Sequence, residues 1–252
     1  MEVSHFLNFL FFIIFVIIIS IIIYKSIEKG LEKSWGEFAL KHNLKLQKGT
    51  IFSYPSVTGN YKGYKFMLYI FTRYIDGIYR HRKPKAIYTG MALNPTNYIN
   101  CNMHIYKEGL LSKIGKAIGM QDIQSGDPEF DKNFVIKSST PDPVVQRILT
   151  APIRTAMLNL KDIIDITVSF RGVTFEKKGF FTDVNSLEAL AELMYNLLNS
   201  VIEVTKEKAQ VEDTVSPAVS STASIETGKI CPSCGYQVPP GNRFCINCGS
   251  KL

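Results

Sequence analysis

The chain has 252 residues and a net charge of +7, from 29 basic and 22 acidic residues. This length leaves room for a central domain of roughly 180 residues with a real hydrophobic core. The sequence contains no phosphate loop, dinucleotide-binding fingerprint, nucleophile elbow or HExxH motif, so it gives no support for the enzyme classes that those motifs mark.

The first segment is an apolar run over residues 6–24, in which only Asn8 and Ser20 are polar. As a helix it would be about 28 Å long, close to the roughly 30 Å of a bilayer core. A secretory signal peptide is the main alternative, but it would have a basic start and a small-residue cleavage site, and this sequence has neither. The pattern therefore predicts an uncleaved transmembrane anchor over residues 1–24.

The charges that flank this segment predict its orientation. Lys25, Lys29 and Lys33 follow the span, and no Lys or Arg precedes it. The positive-inside rule then predicts a single-pass protein of the cell membrane, with the N-terminus outside and the C-terminal domains in the cytoplasm. A reducing cytoplasm also keeps cysteines available for a metal and disfavours disulfides.

Residues 25–205 are predicted to form a cytoplasmic domain of the α+β class with a mostly antiparallel sheet. Strands and helices alternate irregularly, which argues against a doubly wound parallel sheet. Lys62-Gly63 and Asp76-Gly77 have the composition of hairpin turns. Helical spacing predicts helices over 25–42, 110–118, 143–149, 152–160 and 184–204, with Thr150 as a possible cap. Alternation predicts strands over 57–61, 64–71, 86–93, 98–106, 134–136, 164–170 and 173–177.

Few residues of this domain suggest chemistry. Cys101 alternates with core-facing residues and is expected to be a buried apolar side chain rather than a reactive thiol or a fifth metal ligand. The four histidines are scattered along the sequence. Asp127, Glu129 and Asp131 form an acidic cluster that suits either a bound cation or the solvated start of a helix. No catalytic residue is predicted.

Positive charge is concentrated in the membrane-proximal half. Residues 24–125 contain 16 basic and six acidic residues, and the densest run holds Arg80, Arg82, Lys83 and Lys85. This basic hairpin suits contact with anionic lipid or with nucleic acid, or it is simply a soluble basic turn. Of the two partners we favour lipid, because the anchor already holds this half of the chain at the membrane.

Residues 206–228 have no apolar period and are predicted to be a flexible linker. Residues 229–252 follow as a separate module, with two Cys-x2-Cys pairs separated by ten residues: Cys231 and Cys234, then Cys245 and Cys248. Four thiolates fill the coordination sphere of Zn²⁺, so the spacing predicts a structural zinc site that folds a segment otherwise too small to be stable. Two disulfides, or an iron site of the rubredoxin type, are the alternatives.

The run C-P-S-C-G followed by P-P-G-N-R-F-C-I-N-C-G resembles the short zinc ribbon of many prokaryotic proteins. The resemblance covers about a tenth of the chain and implies a metal-stabilised β-hairpin module. The run over residues 126–150 resembles segments of prokaryotic membrane-anchored proteins of uncharacterised function, and implies no activity.

Together these features predict a membrane-anchored cytoplasmic protein without enzymatic activity. Its zinc ribbon would serve for interaction with a protein partner, and membrane lipid would surround its span. Two alternatives remain at this point: a nucleic-acid-binding membrane protein that uses the basic hairpin and the ribbon, and a membrane-bound enzyme with its active site in the central domain.

Overall fold

The computed structural model describes residues 2–50, 53–74, 85–107, 121–160, 165–214, 229–231, 237–238 and 250–251. The chain divides into two compact units, Met1–Val211 and Glu212–Leu252. The helices are α1 (Glu2–Lys41), α2 (Pro128–Asn133), α3 (Asp142–Ile148), α4 (Ala151–Asn159) and α5 (Val184–Thr214). The strands are β1 (Lys45–Gln47), β2 (Ser56–Tyr61), β3 (Tyr64–Tyr74), β4 (Lys85–Asn94), β5 (Met103–Lys107), β6 (Gln121–Ile123), β7 (Phe134–Ser138), β8 (Asp165–Ser169), β9 (Gly172–Lys178), β10 (Lys229–Ile230) and β11 (Gln237–Val238).

Nine strands of the first unit form one sheet in the order β1-β2-β3-β4-β9-β8-β5-β7-β6. Every pairing in it is antiparallel. The alternation of the sequence explains its two faces: Ile166 and Val168 are buried in the core, whereas Thr167 between them lies on the other face. The predicted α+β class with a mostly antiparallel sheet is confirmed.

The first hairpin turn lies where its sequence predicts. Lys62 and Gly63 join β2 to β3 with φ angles of 49° and 96°, the left-handed region that two-residue hairpin turns require. The Gly63 N–H donates to the Asn60 side-chain oxygen at 2.7 Å, which closes the turn. In the second hairpin, the described pairing of β3 with β4 ends at Tyr74, which faces Lys85. The predicted turn at Asp76-Gly77 lies outside the described residues.

One face of the sheet carries a single apolar core. The last third of α1 contributes Leu31, Trp35 and Phe38, all fully buried, and the Phe38 ring lies 5.6 Å from that of Phe66 on β3. Helix α5 adds its own apolar stripe to the same cluster. Its buried members are Leu187, Leu190, Ala191, Leu193, Met194, Leu197, Leu198, Val201 and Val204.

Several boundaries differ from the sequence pattern. The strand predicted over 98–106 is a strand only from Met103, because the Ile99 N–H donates instead to the Phe170 carbonyl, 3.2 Å away. Thr150 does precede α4, but its side chain forms no capping hydrogen bond. Strands β1 and β6 and helix α2 are too short to give a periodic signal. The helix predicted over 110–118 lies outside the described residues.

Helix α5 is longer than predicted. It continues to Thr214, nine residues into the segment predicted as a linker from residue 206. The start of the extension has a tertiary contact, since Glu207 forms an ion pair with Arg147 on α3. The other predicted linker residues, 215–228, lie outside the described part of the chain.

Two glycines test how tightly the sheet is packed. Gly172 has a φ of +132°, and a Cβ there would lie 2.2 Å from the Leu93 carbonyl oxygen, whereas Gly63 faces open space. We expect Gly172→Ala to lower the free energy of unfolding by about 2 kcal/mol or more, from strain and a backbone clash. Gly63→Ala should cost about 1 kcal/mol, from its left-handed backbone alone. Denaturant unfolding of the full chain in detergent would measure both; equal losses would contradict the packing at Gly172.

Candidate metal centre and membrane anchor

The described part of the second unit is a short hairpin that begins just before the first cysteine. Strands β10 and β11 pair antiparallel, with Lys229 opposite Val238 and Ile230 opposite Gln237. Cys231 follows β10 directly and is only 1% exposed. Cys231 therefore lies where the chain leaves β10, between the two paired strands in the sequence.

The burial of Cys231 fits a metal ligand. A buried thiol in so short a segment needs a partner that stabilises the fold, and a shared metal ion supplies one. Cys234, Cys245 and Cys248 lie outside the described residues. Among the residues that are described, no three His, Cys, Asp or Glu side chains form a group that could hold a metal ion. The four-cysteine ligand set therefore stays a prediction.

The first two thirds of α1 have an apolar surface that the protein leaves bare. The described apolar residues from Leu7 to Ile23 are 38–68% exposed. The one polar side chain in the middle, Ser20, donates its hydroxyl hydrogen to the Val16 carbonyl at 2.8 Å, as a hydroxyl in an apolar environment must. Leaving so many large apolar side chains in water would cost on the order of tens of kcal/mol. In the described part of the chain this is the one helix that is long and apolar enough to cross a membrane.

The domain contacts α1 directly where the bare surface ends. The Tyr24 hydroxyl donates to the Thr50 carbonyl at 3.0 Å. One turn further, the buried Glu28 accepts a hydrogen bond from Lys25 at 3.2 Å. Its other carboxylate oxygen lies against Gly49, where an added Cβ would be 2.6 Å away. The helix thus passes from its bare part into the domain without a break.

The basic hairpin is described only in part. Lys85 is exposed at the start of β4, and its ammonium group lies 4.9 Å from the centre of the Tyr74 ring. Arg80, Arg82 and Lys83 lie outside the described residues. Their predicted contact with an anionic surface stays a prediction.

The acidic cluster forms the start of a helix. Asp127 caps α2, and its carboxylate accepts hydrogen bonds from the backbone N–H groups of Glu129 and Phe130, at 3.1 and 3.2 Å, and from the Arg154 side chain at 3.1 Å. The Phe130 N–H and then the Arg154 guanidinium lower the pKa of Asp127. Asp131 accepts from the Ser125 N–H at 2.9 Å. The interpretation as a helix start explains the cluster without a cation.

Two histidines of the central domain form packing or ion-pair contacts within the fold. His104 on β5 pairs with Asp165 on β8, with the Nε2 and Oδ1 atoms 2.5 Å apart. His42 packs between the Phe38 and Tyr61 rings, and burial lowers its pKa. The predicted core position of Cys101 is confirmed: it is 4% exposed, and burial raises the pKa of its thiol.

A cavity of about 240 Å³ lies between α5 and the segment that follows β4. Its lining contains Lys206 but no carboxylate or histidine, so it does not bring together an acid and a base. The lining residues are Tyr64, Pro95, Thr96, Asn97, Tyr98, Ile99, Ile202, Thr205 and Lys206. The cavity therefore gives the enzyme alternative no support.

Sequence reasoning missed the aromatic cluster next to the end of the bare part of α1. Tyr54 and Phe180 are 126 positions apart in the sequence, yet their ring centres are 5.6 Å apart, and Tyr54 in turn lies 5.8 Å from Tyr24. Neither residue belongs to a periodic pattern. Tyr54 precedes a proline and Phe180 follows Gly179, so local signals indicate only turns there.

Comparison with known proteins identifies the C-terminal module. Residues 230–252 match the family model described as a zinc-ribbon domain. The C-terminal segment is thus a zinc ribbon by family, as its cysteine spacing predicts. The match covers about a tenth of the chain and does not assign the rest of it to a family.

The other comparisons add little. No curated protein matches the chain. Among solved structures, the chain is similar to the crystal structure of the mycobacterial trehalose monomycolate transport factor A, TtfA. The identity is 13% and the TM-score 0.47, over 68% of this chain and 96% of that chain. A similarity at this level carries no argument about function. The resemblance of the central region to prokaryotic membrane-anchored proteins is not shown.

We expect the purified chain to hold one zinc ion, bound by Cys231, Cys234, Cys245 and Cys248. Cys234→Ser or Cys248→Ser should abolish stoichiometric binding, because three thiolates hold a structural zinc far less tightly than four. Elemental analysis of protein prepared under reducing conditions measures this. Cys101→Ser is the matched control and should keep its zinc. A full complement of iron, or no metal at all, would contradict the prediction.

Proposed function

We propose that this chain is a membrane-anchored protein that presents a structural zinc ribbon, on the cytoplasmic side, to a protein partner. The observation that carries the proposal is the division of α1: its first two thirds are bare and apolar, and its last third is part of a folded core. Such a helix fixes the domain at a bilayer. The zinc-ribbon match at residues 230–252 supports a separate C-terminal module, to which we assign the interaction.

One charge observation and one redox argument support the cytoplasmic orientation. Lys25, Lys29 and Lys33 follow the bare part of α1 within three turns, and all three are exposed. Positive charge on this side of a span favours its retention in the cytoplasm. Cysteines in that compartment stay reduced and free to bind zinc.

Four thiolates leave a bound metal no open coordination position for catalysis, so the role of the zinc would be structural. A small module folded in this way suits recognition of a partner. Attachment to a membrane raises the local concentration of the ribbon toward any partner at the same membrane. We infer that this proximity, rather than a large interface, provides the avidity of the interaction.

Orientation can be tested with a cysteine probe that does not cross membranes. We expect Ser220→Cys to react only after the cells are lysed, because the segment between the domain and the ribbon faces the cytoplasm. Val3→Cys, on the other side of the span, is the matched control and should react in intact cells. Peptide mapping separates these sites from the native cysteines. Labelling of residue 220 in intact cells would reverse the orientation and favour disulfides in the ribbon.

The interaction can be tested by affinity purification from detergent-solubilised membranes. Any partner captured by the full chain should be lost from a chain that lacks residues 229–252 and from Cys248→Ser, because both remove the folded ribbon. The deletion should not begin at residue 206, since α5 continues to Thr214 with a tertiary contact at Glu207. Lys251→Ala keeps all four cysteines and is the control. A partner retained by both ribbon variants would place the interaction elsewhere and overturn the proposal.

A further inference from the structure

Three aromatic rings extend sideways from the end of the span onto the domain. Tyr24 ends the bare part of α1, and its ring centre is 5.8 Å from that of Tyr54. Tyr54 is in turn 5.6 Å from Phe180, which follows β9. All three side chains are partly exposed. The surface of the domain therefore begins at the level where the apolar surface of α1 ends.

The end of the β3–β4 hairpin lies on the same side. Gly179, next to Phe180, donates its N–H to the Ile87 carbonyl at 2.8 Å, and the Thr89 hydroxyl donates to the Gly179 carbonyl at 2.8 Å. From Ile87, β4 continues back to Lys85, which faces Tyr74 across the ladder. Tyr74 is 59% exposed. A continuous path of contacts thus joins the span end to the hairpin end.

Lengths along the two elements agree with this placement. Starting from the contact between Phe38 and Phe66, α1 runs 14 residues back to Tyr24, or about 21 Å. From the same contact, β3 runs eight residues on to Tyr74, or about 27 Å. Because the contacts at Gly179 and Tyr54 link the far ends, both elements point toward the bilayer and end at a similar depth.

Positive charge dominates this side of the domain. The described carboxylates there all have partners: Glu28 pairs with Lys25, Glu176 with Arg73, and Glu32 accepts the Gly49 N–H. Asp165, which faces Glu176 in the ladder, pairs with His104. The basic residues on the same side are Lys25, Lys48, Arg73, Lys85, Lys177 and Lys178. Within the described part of the chain, basic residues therefore exceed acidic ones on this side.

We propose that the junction band, formed by Tyr24, Tyr54, Phe180, Tyr74, Lys85 and Lys178, docks on the anionic phospholipid headgroups of the bilayer that α1 crosses. The inference rests on the proposed anchoring of α1. Tyrosine rings favour the headgroup level, with their rings in the apolar boundary and their hydroxyls in water. Lysines near an anionic surface are attracted to it. The domain then lies against the membrane with the Tyr74 and Lys85 end of β3 and β4 facing the headgroups, and the opposite end of these strands faces the solvent.

A fluorescent amino acid and nitroxide-labelled lipid test this docking. The full chain is reconstituted in phosphatidylcholine vesicles, with or without phosphatidylglycerol, and the probe replaces Tyr74, Tyr98 or Ile17. Tyr98 is the matched control, since it is 81% exposed and lines the cavity beside Tyr64, at the other end of β3. We expect headgroup nitroxides to quench the probe at 74, more strongly with phosphatidylglycerol, and to leave the probe at 98 almost unquenched.

Charge reversal separates headgroup recognition from proximity. Each basic residue near an anionic surface changes association by roughly fivefold, so Lys85→Glu with Lys178→Glu should remove most of the quenching at position 74. Lys45→Glu with Lys65→Glu is the matched control on exposed strand positions at the other end, and should change nothing. If the probe at position 74 is quenched equally with and without phosphatidylglycerol, and equally in the wild-type chain and in both double variants, recognition of anionic headgroups is refuted.

The probe at Ile17 distinguishes the two proposals. If acyl-chain nitroxides quench it but the probe at 74 behaves like the probe at 98, the docking inference fails and the anchor stands. If the probe at 17 is not quenched, α1 does not span the bilayer, and both the proposed function and the docking fail together.

Discussion

The architecture depends on the continuity of α1, a helix of 40 residues whose two parts differ completely in burial. Its first part exposes a wholly apolar surface, whereas its last part buries Leu31, Trp35 and Phe38 in the core of the domain. The Trp35 indole N–H also donates to the Phe181 carbonyl at 2.9 Å, so the helix is held by a specific contact as well as by burial. Gly30, between the two parts, does not interrupt it. An unbroken helix would transmit the direction of the proposed span to the domain, which a flexible stalk could not do.

The two units are stabilised by different physics. The first unit has a core large enough to balance the entropy of ordering its chain, with a nine-stranded sheet covered on one face by α1 and α5. The second unit has few apolar residues in residues 229–252, and a ribbon of this size depends on its metal. If the ribbon binds zinc as predicted, the proposed recognition function would depend on metal supply, whereas the proposed anchoring by α1 would not.

Much of the fold could be predicted because many elements carry a local signal. Alternation at Ile166 and Val168 gives β8, helical spacing from Leu187 to Val201 gives α5, and Lys62-Gly63 gives the first hairpin turn. The misses have physical causes. Ile99 and Cys101 are buried and alternate as in a strand. The Ile99 N–H nevertheless donates to the Phe170 carbonyl outside any strand ladder, so the burial pattern alone predicted a strand that is not present there. The extension of α5 past Thr205 has a weak amphipathic pattern, and its ion pair between Glu207 and Arg147 is non-local, so the sequence did not indicate it. The row of Tyr24, Tyr54 and Phe180 is non-local and has no sequence signature at all.

The distribution of charge over the surface is likewise non-local and cannot be obtained by counting along the sequence. Counted along the chain, residues 24–125 are strongly basic and residues 126–205 are slightly acidic. Folding brings the halves together: Lys41 pairs with Glu188, Lys62 with Glu192 and Arg73 with Glu176. Each of these pairs contributes at most about 1 kcal/mol to stability. The pairs Lys41–Glu188 and Lys62–Glu192 neutralise charge away from the bare part of α1, whereas Arg73–Glu176 lies on the side near it. If α1 crosses a bilayer as proposed, the basic residues near the end of its bare part would lie within about a Debye length of the headgroups, and they would matter more than the overall charge excess suggests.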